Sequence, residues 1–438
     1  MRIFILIWFG QLISLIGSGL TSFALGVWGY QKTGSATQFA LISLFTTLPR
    51  VVISPLAGVL VDRFNRRWIM IISDFGTGLS IVAIALLLAI GRLEIWQIYL
   101  VATVSNSFSA FHLPAYTASI TQLVPPQYLN RASGMIQLTL AVAQLISPVL
   151  GSLLLITIKL QGVILLDFVT FFFALITLLL VKFPNTKTTV VEKFSKTSLL
   201  YEMSYALSYI TTKPGLFGLL IFFAATNFLF GALNVLTTPL VLSFASLATL
   251  GKILSIGGIG MVTGSLVMST WGRKLRGMYG VFGFMLLGGL CILVAGLRPS
   301  VPLFSVAAVL FFFGLPIIEG SIQVIFQKKV PPYVQGRVFA LNGAIAQASM
   351  SLAYVIAGPL TDKVFEPLMT SNSPLTACIG RIIGVGRGRG IGLLFIVMGA
   401  LTMLGTVVAY QYPRLRRVEN ELPDAITNDA TALGENQG

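Results

Sequence analysis

Charge, cysteine and histidine are what this sequence has least of: 10% of its 438 residues are charged, and it holds two cysteines and one histidine. Cys291 sits inside an apolar run and Cys378 in a polar stretch, which leaves no disulfide framework and no cysteine metal cluster. A lone His112 supplies neither a zinc centre nor the Ser-His or paired His/Asp constellation that an intramembrane enzyme would need. The glycines of GRIIGVGRGRG (380–390) follow neither G-x-G-x-x-G nor a P-loop, so no nucleotide site is implied. We therefore expect no cofactor, no metal and no enzyme. Alternating polarity is also missing: IVAIALLLAI (81–90) and FFFALITLLLV (171–181) are unbroken, unlike the strands of a membrane β-barrel.

What is there is hydrocarbon. Hydrophobic residues make up 55% of the chain and the mean hydropathy is +0.89, a membrane composition. A helix crosses about 30 Å of hydrocarbon in roughly 20 residues. Twelve apolar runs meet that length: 3–29, 38–61, 68–90, 96–121, 132–157, 163–181, 215–243, 249–270, 277–297, 302–327, 337–361 and 390–412. The first extends without a small-residue cleavage site and reads as a retained helix, not a secretory signal. The predicted fold class is an all-α membrane protein of twelve transmembrane helices.

A net charge of +15 suggests nucleic acid until the basic residues are placed. With the N-terminus inside, the inner segments hold 19 Lys and Arg and the outer ones nine, four of those in the long loop 362–389. That is the positive-inside bias; it puts both termini in the cytoplasm and removes the case for nucleic acid.

Residues 182–214 are polar and basic, with an amphipathic stretch LLYEMSYALSYI (199–210) suited to the inner membrane surface. They divide the chain into an N-terminal six-helix bundle (1–181), a cytoplasmic linker (182–214), a C-terminal six-helix bundle (215–412) and an acidic, polar, disordered tail (413–438). The bundles repeat each other: VPPQYLNR (124–131) recurs as VPPYVQGR (330–337), and the same offset of 206 carries Gly58-Val-Leu-Val onto Gly264-Ser-Leu-Val. Such duplications build two bodies that rock about a site near the bilayer midplane. Met268 falls where the first copy has Asp62, so whatever Asp62 does is done once per molecule.

That aspartate lies in GVLVDRFNRRWIM (58–70), which places Asp62, Arg63, Arg66 and Arg67 between two apolar spans. The stretch resembles the G-x-L-x-D-R-x-x-R-[RK] signature of the major facilitator superfamily of transporters. WFGQLISLIGS (8–18), QKTGSA (31–36), AFHLPA (110–115), LVPPQYL (123–129), ISPVLGSLL (146–154) and FQKKVPPYVQGRVFAL (326–341) resemble its macrolide-efflux branch of drug:proton antiporters. The resemblance implies two pseudo-symmetric six-helix bundles and a cytoplasmic latch. In that latch Gly58 admits a neighbouring helix, and Asp62 faces the N-terminus of the eleventh span near Gly336, Arg337 and Val338, where free amides favour an anion. Arg63, Arg66 and Arg67 join the latch or serve only as topology anchors, and Asp74 is expected in its ion network.

Ionisable groups within spans cost roughly 2.5–3.5 kcal/mol each on insertion scales, so each needs a reason. Glu319, in a span that lines the central cavity of the family, is the expected proton-coupling acid; the alternative is a carboxylate permanently paired with Arg50. Asp167 is grouped with them, although an architectural hydrogen bond between helices explains it better. The family's fourth-span arginine is absent, with Ser105 and Asn106 in its place. The alternatives are that Arg50 substitutes for it from another helix, that the protein couples differently, or that it acts as a facilitator. His112 has no acid nearby in sequence, which favours a packing role. Substrate-facing candidates are Gln11, Ser14, Asn106, Gln137, Gln144, Asn227, Asn234 and Gln323, with Phe223, Phe228 and Phe230 as walls. The reading is a monomeric exporter of hydrophobic or amphipathic small molecules in the cell membrane, its partners being cargo, protons and membrane lipids. A lysophospholipid flippase, a siderophore exporter or a non-transporting receptor or scaffold are the alternatives.

Overall fold

A computed structural model describes residues 2–181, 196–275, 277–370 and, apart from 382 and 387, 380–421. Among these there is no strand. Each of the twelve apolar runs forms a helix, usually a turn longer than its hydrophobic centre because caps sit in the connecting loops. The first six are α1 (Arg2–Thr33), α2 (Ala36–Arg63), α3 (Arg66–Ala89), α4 (Ile95–Leu123), α5 (Leu129–Thr157) and α6 (Lys159–Leu180). The amphipathic stretch is α7 (Lys196–Thr211). Then come α8 (Pro214–Leu242), α9 (Leu247–Leu275), α10 (Met278–Leu297), α11 (Val301–Lys329), α12 (Pro332–Leu360) and α13 (Arg389–Gln411). Among the described residues, eleven helices are long and apolar enough to cross a membrane. The remaining long one, α4, carries the polar run SNSFSAFH (105–112).

Capping chemistry sets the boundaries. Ser35 accepts from the Gln38 amide to start α2, Asn65 from the Arg67 amide to start α3, and Glu94 with Gln97 forms a capping box at α4. Each satisfies amides that have no partner within the helix.

Contacts group the chain into two compact units, the first Met1–Phe194, Gly231–Ile256 and Ser351–Leu393, the second Ser195–Phe230, Gly257–Met350 and Leu394–Gly438. In the first, α4 packs along α2 and α3, while α1 packs along α5 and α6. In the second, α10 packs on α11, and Leu216, Leu219, Ile325 and Phe326 anchor the core. Close packing needs missing side chains: a Cβ on Gly264, the second-copy counterpart of Gly58, would collide with the Phe313 carbonyl oxygen. Gly58 and the side chains of Asp62, Arg63 and Gln137 lie outside what the structure describes.

Burial is inverted relative to a water-soluble bundle. On α3, Trp68, Ile72, Phe75, Leu79 and Leu86 are exposed along one stripe, while Ser73, Ser80, Ile81 and Ile84 are buried. An outward apolar face with polar groups turned inward is the arrangement that lipid selects.

Candidate functional site

Polar residues recur at helical spacing in the first half and converge on one space. On α1 they are Gln11, Ser14, Ser18 and Thr21; on α3, Asp74, Thr77 and Ser80; on α4, Ser105, Asn106, Ser109 and His112. Steps of three and four residues keep each set on one helix face. With Thr46 and Arg50 from α2 and Asp167 from α6, they line a cavity of about 140 Å³ inside the first unit.

Its charged groups are held as follows. His112 Nε2 lies 3.3 Å from Asp74 Oδ1, with side chains 17% and 15% exposed. The Gln11 amide stands beside Asp74, yet neither Gln11 Nε2 nor Asp74 Oδ2 closes a hydrogen bond. Asp167, 1% exposed, accepts at Oδ1 from Ser18 Oγ at 3.2 Å while its Oδ2 has no partner. Gly17 makes that approach possible, because a Cβ there would stand 3.0 Å from Asp167 Oδ1 and collide with the Thr170 hydroxyl. Arg50 Nη2 donates to Ser109 Oγ at 3.3 Å. Asn106 Nδ2 folds back on the Ala102 carbonyl at 2.8 Å.

Several expectations change. Asp74, placed with the latch on sequence grounds, faces this cavity and takes His112 as its partner. His112 therefore has the acid that its sequence neighbourhood did not show. Gln11, Ser14, Asn106, Arg50 and Asp167 come together, whereas Gln144, Asn227, Asn234 and Gln323 are not among the cavity's walls. Asn227 Nδ2 is spent on the Phe223 carbonyl at 2.8 Å, and Gln144, Asn234 and Gln323 are exposed. Glu319 is exposed on α11 in the second unit. Phe223 packs against that unit's core, and Phe228 and Phe230 are half-buried.

At the loop between α2 and α3, Arg66 Nη1 donates to the Ala118 carbonyl at 2.5 Å and Arg67 Nη2 to the Leu179 carbonyl at 2.8 Å. Leu179 lies in the last turn of α6, where carbonyls lack amide partners and the dipole favours a cation, and Ala118 lies just before the last turn of α4. The two arginines thus hold the C-terminal ends of α4 and α6. The latch's expected acceptor shifts as well: α12 begins at Pro332, a residue suited to a first helical turn, so Gly336 and Arg337 lie beyond the unpaired amides. Arg337 stacks over the Tyr205 ring at 5.1 Å, and a Cβ on Gly336 would meet open space.

The loop after α12 makes contacts that no motif in the sequence announces. Past α12 the chain makes a π-helical turn, Thr361–Phe365. There Asp362 accepts from Ser35 Oγ (2.6 Å), Ala36 N (3.1 Å) and Thr37 N (2.9 Å), so it caps the start of α2. Gly358 allows the contact, since a Cβ there would stand 2.7 Å from Thr37 Cα. Glu366 likewise accepts from the Gly388 and Ile391 amides at the start of α13. Arg389 is 5% exposed and donates to the Ile383 carbonyl. Among the described residues, no group of three His, Cys, Asp or Glu is arranged to hold a metal.

The family model described as Major Facilitator Superfamily matches residues 7–354. The chain belongs to the major facilitator superfamily. It is accordingly a multi-pass membrane transporter. Macrolide efflux protein A of Streptococcus pyogenes is 28% identical over 378 residues, covering 82% of this chain and 90% of that one. The multidrug efflux pump Tap of Mycolicibacterium fortuitum is 22% identical, covering 95% and 97%. The enterobactin exporter EntS of Shigella flexneri is 26% identical over 151 residues, 34% of this chain and 37% of its own. Among solved structures, an inward-facing bacterial homologue of the lysosomal transporter Spinster superposes with a TM-score of 0.67 at 16% identity, covering 96% and 98%. A POT family transporter does so at 0.69 and 13%, covering 94% and 96%. These confirm the all-α superfamily fold.

Proposed function

We propose that this transporter is an exporter of hydrophobic or amphipathic small molecules, macrolide-like or peptide natural products, driven by inward proton flow. The observation that supports the reading is the cavity inside the first unit, where Asp74, His112, Asp167 and Arg50 converge on a helix bundle whose outer face is apolar. Charges kept in such a place at a cost of roughly 2.5–3.5 kcal/mol each are retained for work. The efflux proteins it resembles supply the direction of transport.

In this reading the protein is a monomer in the cell membrane with both termini in the cytoplasm. Two six-helix halves, 1–181 and 215–412, rock about the cargo under control of the Asp62 loop. Glu319 is the principal proton carrier, Arg50 and Asp167 tune its partner half, and Gln11 and Asn106 orient cargo. A siderophore is the second cargo class, favoured by the likeness to an enterobactin exporter.

Cargo export from vesicles, with and without an imposed pH gradient, tests the reading in wild type and Glu319→Gln. Gradient-stimulated flux that falls severalfold in the variant is expected. Full gradient dependence in the variant would remove Glu319 from the role, and absence of any flux in wild type would point to a receptor or scaffold.

A further inference from the structure

We propose that the Asp74–His112 pair is a proton-binding site inside the first unit, loaded and unloaded through the polar cavity it shares with Gln11, Asn106 and Asp167. The inference deepens the proton-coupled reading above and rests on it.

Among the described residues the pair is where the chain's single imidazole meets a carboxylate, His112 Nε2 lying 3.3 Å from Asp74 Oδ1 without closing a hydrogen bond. A proton bound to either group supplies the donor that this contact lacks. Charge bookkeeping over the cavity walls favours that use. The groups facing the space are Asp74 on α3, Asp167 on α6, Arg50 on α2 and His112 on α4, with neutral Gln11 on α1; Tyr116 lies beside His112, ring centroids 6.1 Å apart. With both carboxylates ionised and Arg50 charged, the walls sum to −2 + 1 = −1 when His112 is neutral. One bound proton brings them to zero. In a space walled by apolar helices, neutrality is the stable condition, and the unprotonated state calls for a proton or another cation.

A second observation points into the same space. Gln11 Nε2 and Asp167 Oδ2, on side chains 8% and 1% exposed, have no hydrogen-bond partner and line the cavity. Buried polar atoms of this kind take their partners from water or an ion. A space of about 140 Å³ admits several waters, each needing only on the order of 10–15 Å³. Water bridging Gln11, Asp74 and Asp167 gives a proton a path of hydrogen-bonding atoms, and the hydroxyls of Ser14, Ser18 and Thr77 extend it.

The experiment is the ratio of cargo flux with to flux without a pH gradient in proteoliposomes, a quantity independent of how much folded protein each preparation holds. Wild type, His112→Gln and Asp74→Asn are compared with Glu319→Gln, and a sodium gradient replaces the proton gradient in a parallel arm. We expect a severalfold ratio in wild type that falls close to one in both pair variants, and a pH profile of ungraded flux that flattens in His112→Gln. If Asp74→Asn fails to reach the membrane, His112→Gln alone decides. A wild-type ratio of one overturns the proton-coupled reading and this inference with it. A severalfold ratio kept in full by both pair variants overturns this inference alone. A response to sodium in place of protons overturns the assignment of the proton as the ligand.

Discussion

Asp362→Asn is the most revealing single substitution in the loop after α12. The native carboxylate gathers one hydroxyl and two amide donors at the start of α2, where unpaired N–H groups and the helix dipole both favour negative charge. Asparagine keeps the volume but carries no charge, and its amide nitrogen turns a donor toward donors. A charge at a helix N-terminus is worth about 0.3–1 kcal/mol, rising to about 2 in partly buried geometry. Asp362 is half-buried, so a loss of about 1–2 kcal/mol is expected, a factor of roughly 5–30 in any equilibrium that breaks the contact. The contact holds the end of α12 to the start of α2, and the variant raises the population in which the two have separated. Spin labels at the exposed positions Gln31 and Lys363, with distances read by pulsed electron resonance, report that population directly. A distribution that shifts less than twofold would refute the reasoning, because the three contacts would then contribute nothing to the balance.

Two smaller predictions follow from packing and from the loop between α2 and α3. Gly264→Val forces a side chain into the Phe313 carbonyl, a backbone group held in α11 that cannot turn aside, so thermal unfolding in detergent should show a loss of about 1–3 kcal/mol. An unchanged melting profile would mean that α9 and α11 are looser than described. Arg67→Ala removes the donor to the Leu179 carbonyl; a loss of about 0.5–1.5 kcal/mol in the same assay is expected, and Arg67→Lys should recover part of it if the hydrogen bond and not the side chain's bulk is responsible.

The twelve helices were legible because hydrocarbon imposes one length and one polarity on every span, and the capping residues Ser35, Asn65 and Glu94 sit in sequence where the helices begin. Half of the candidate site was legible too: Gln11, Ser14, Asn106, Arg50 and Asp167 stand out as polar residues in apolar runs. The Asp74–His112 pair escaped notice because its members are far apart in the chain. The signal was nevertheless present. The two lie about equally far on either side of the turn at 90–94, and antiparallel neighbours place such residues at one depth. Asp362 had no comparable signal, since nothing local says which helix start an acid in a distant loop will cap.

The 28 residues of α2 span about 42 Å at 1.5 Å per residue, from the end held by Asp362 to the end that carries the DRFNRR loop. Pro49 lies within it and cannot donate to the Phe45 carbonyl, which leaves one rung of the helix ladder open. Arg50 is the next residue. Its guanidinium donates to Ser109 on α4, so the residue beside the open rung is tied to a second helix. A single helix thereby joins the loop that Asp362 caps, the polar cavity and the DRFNRR loop.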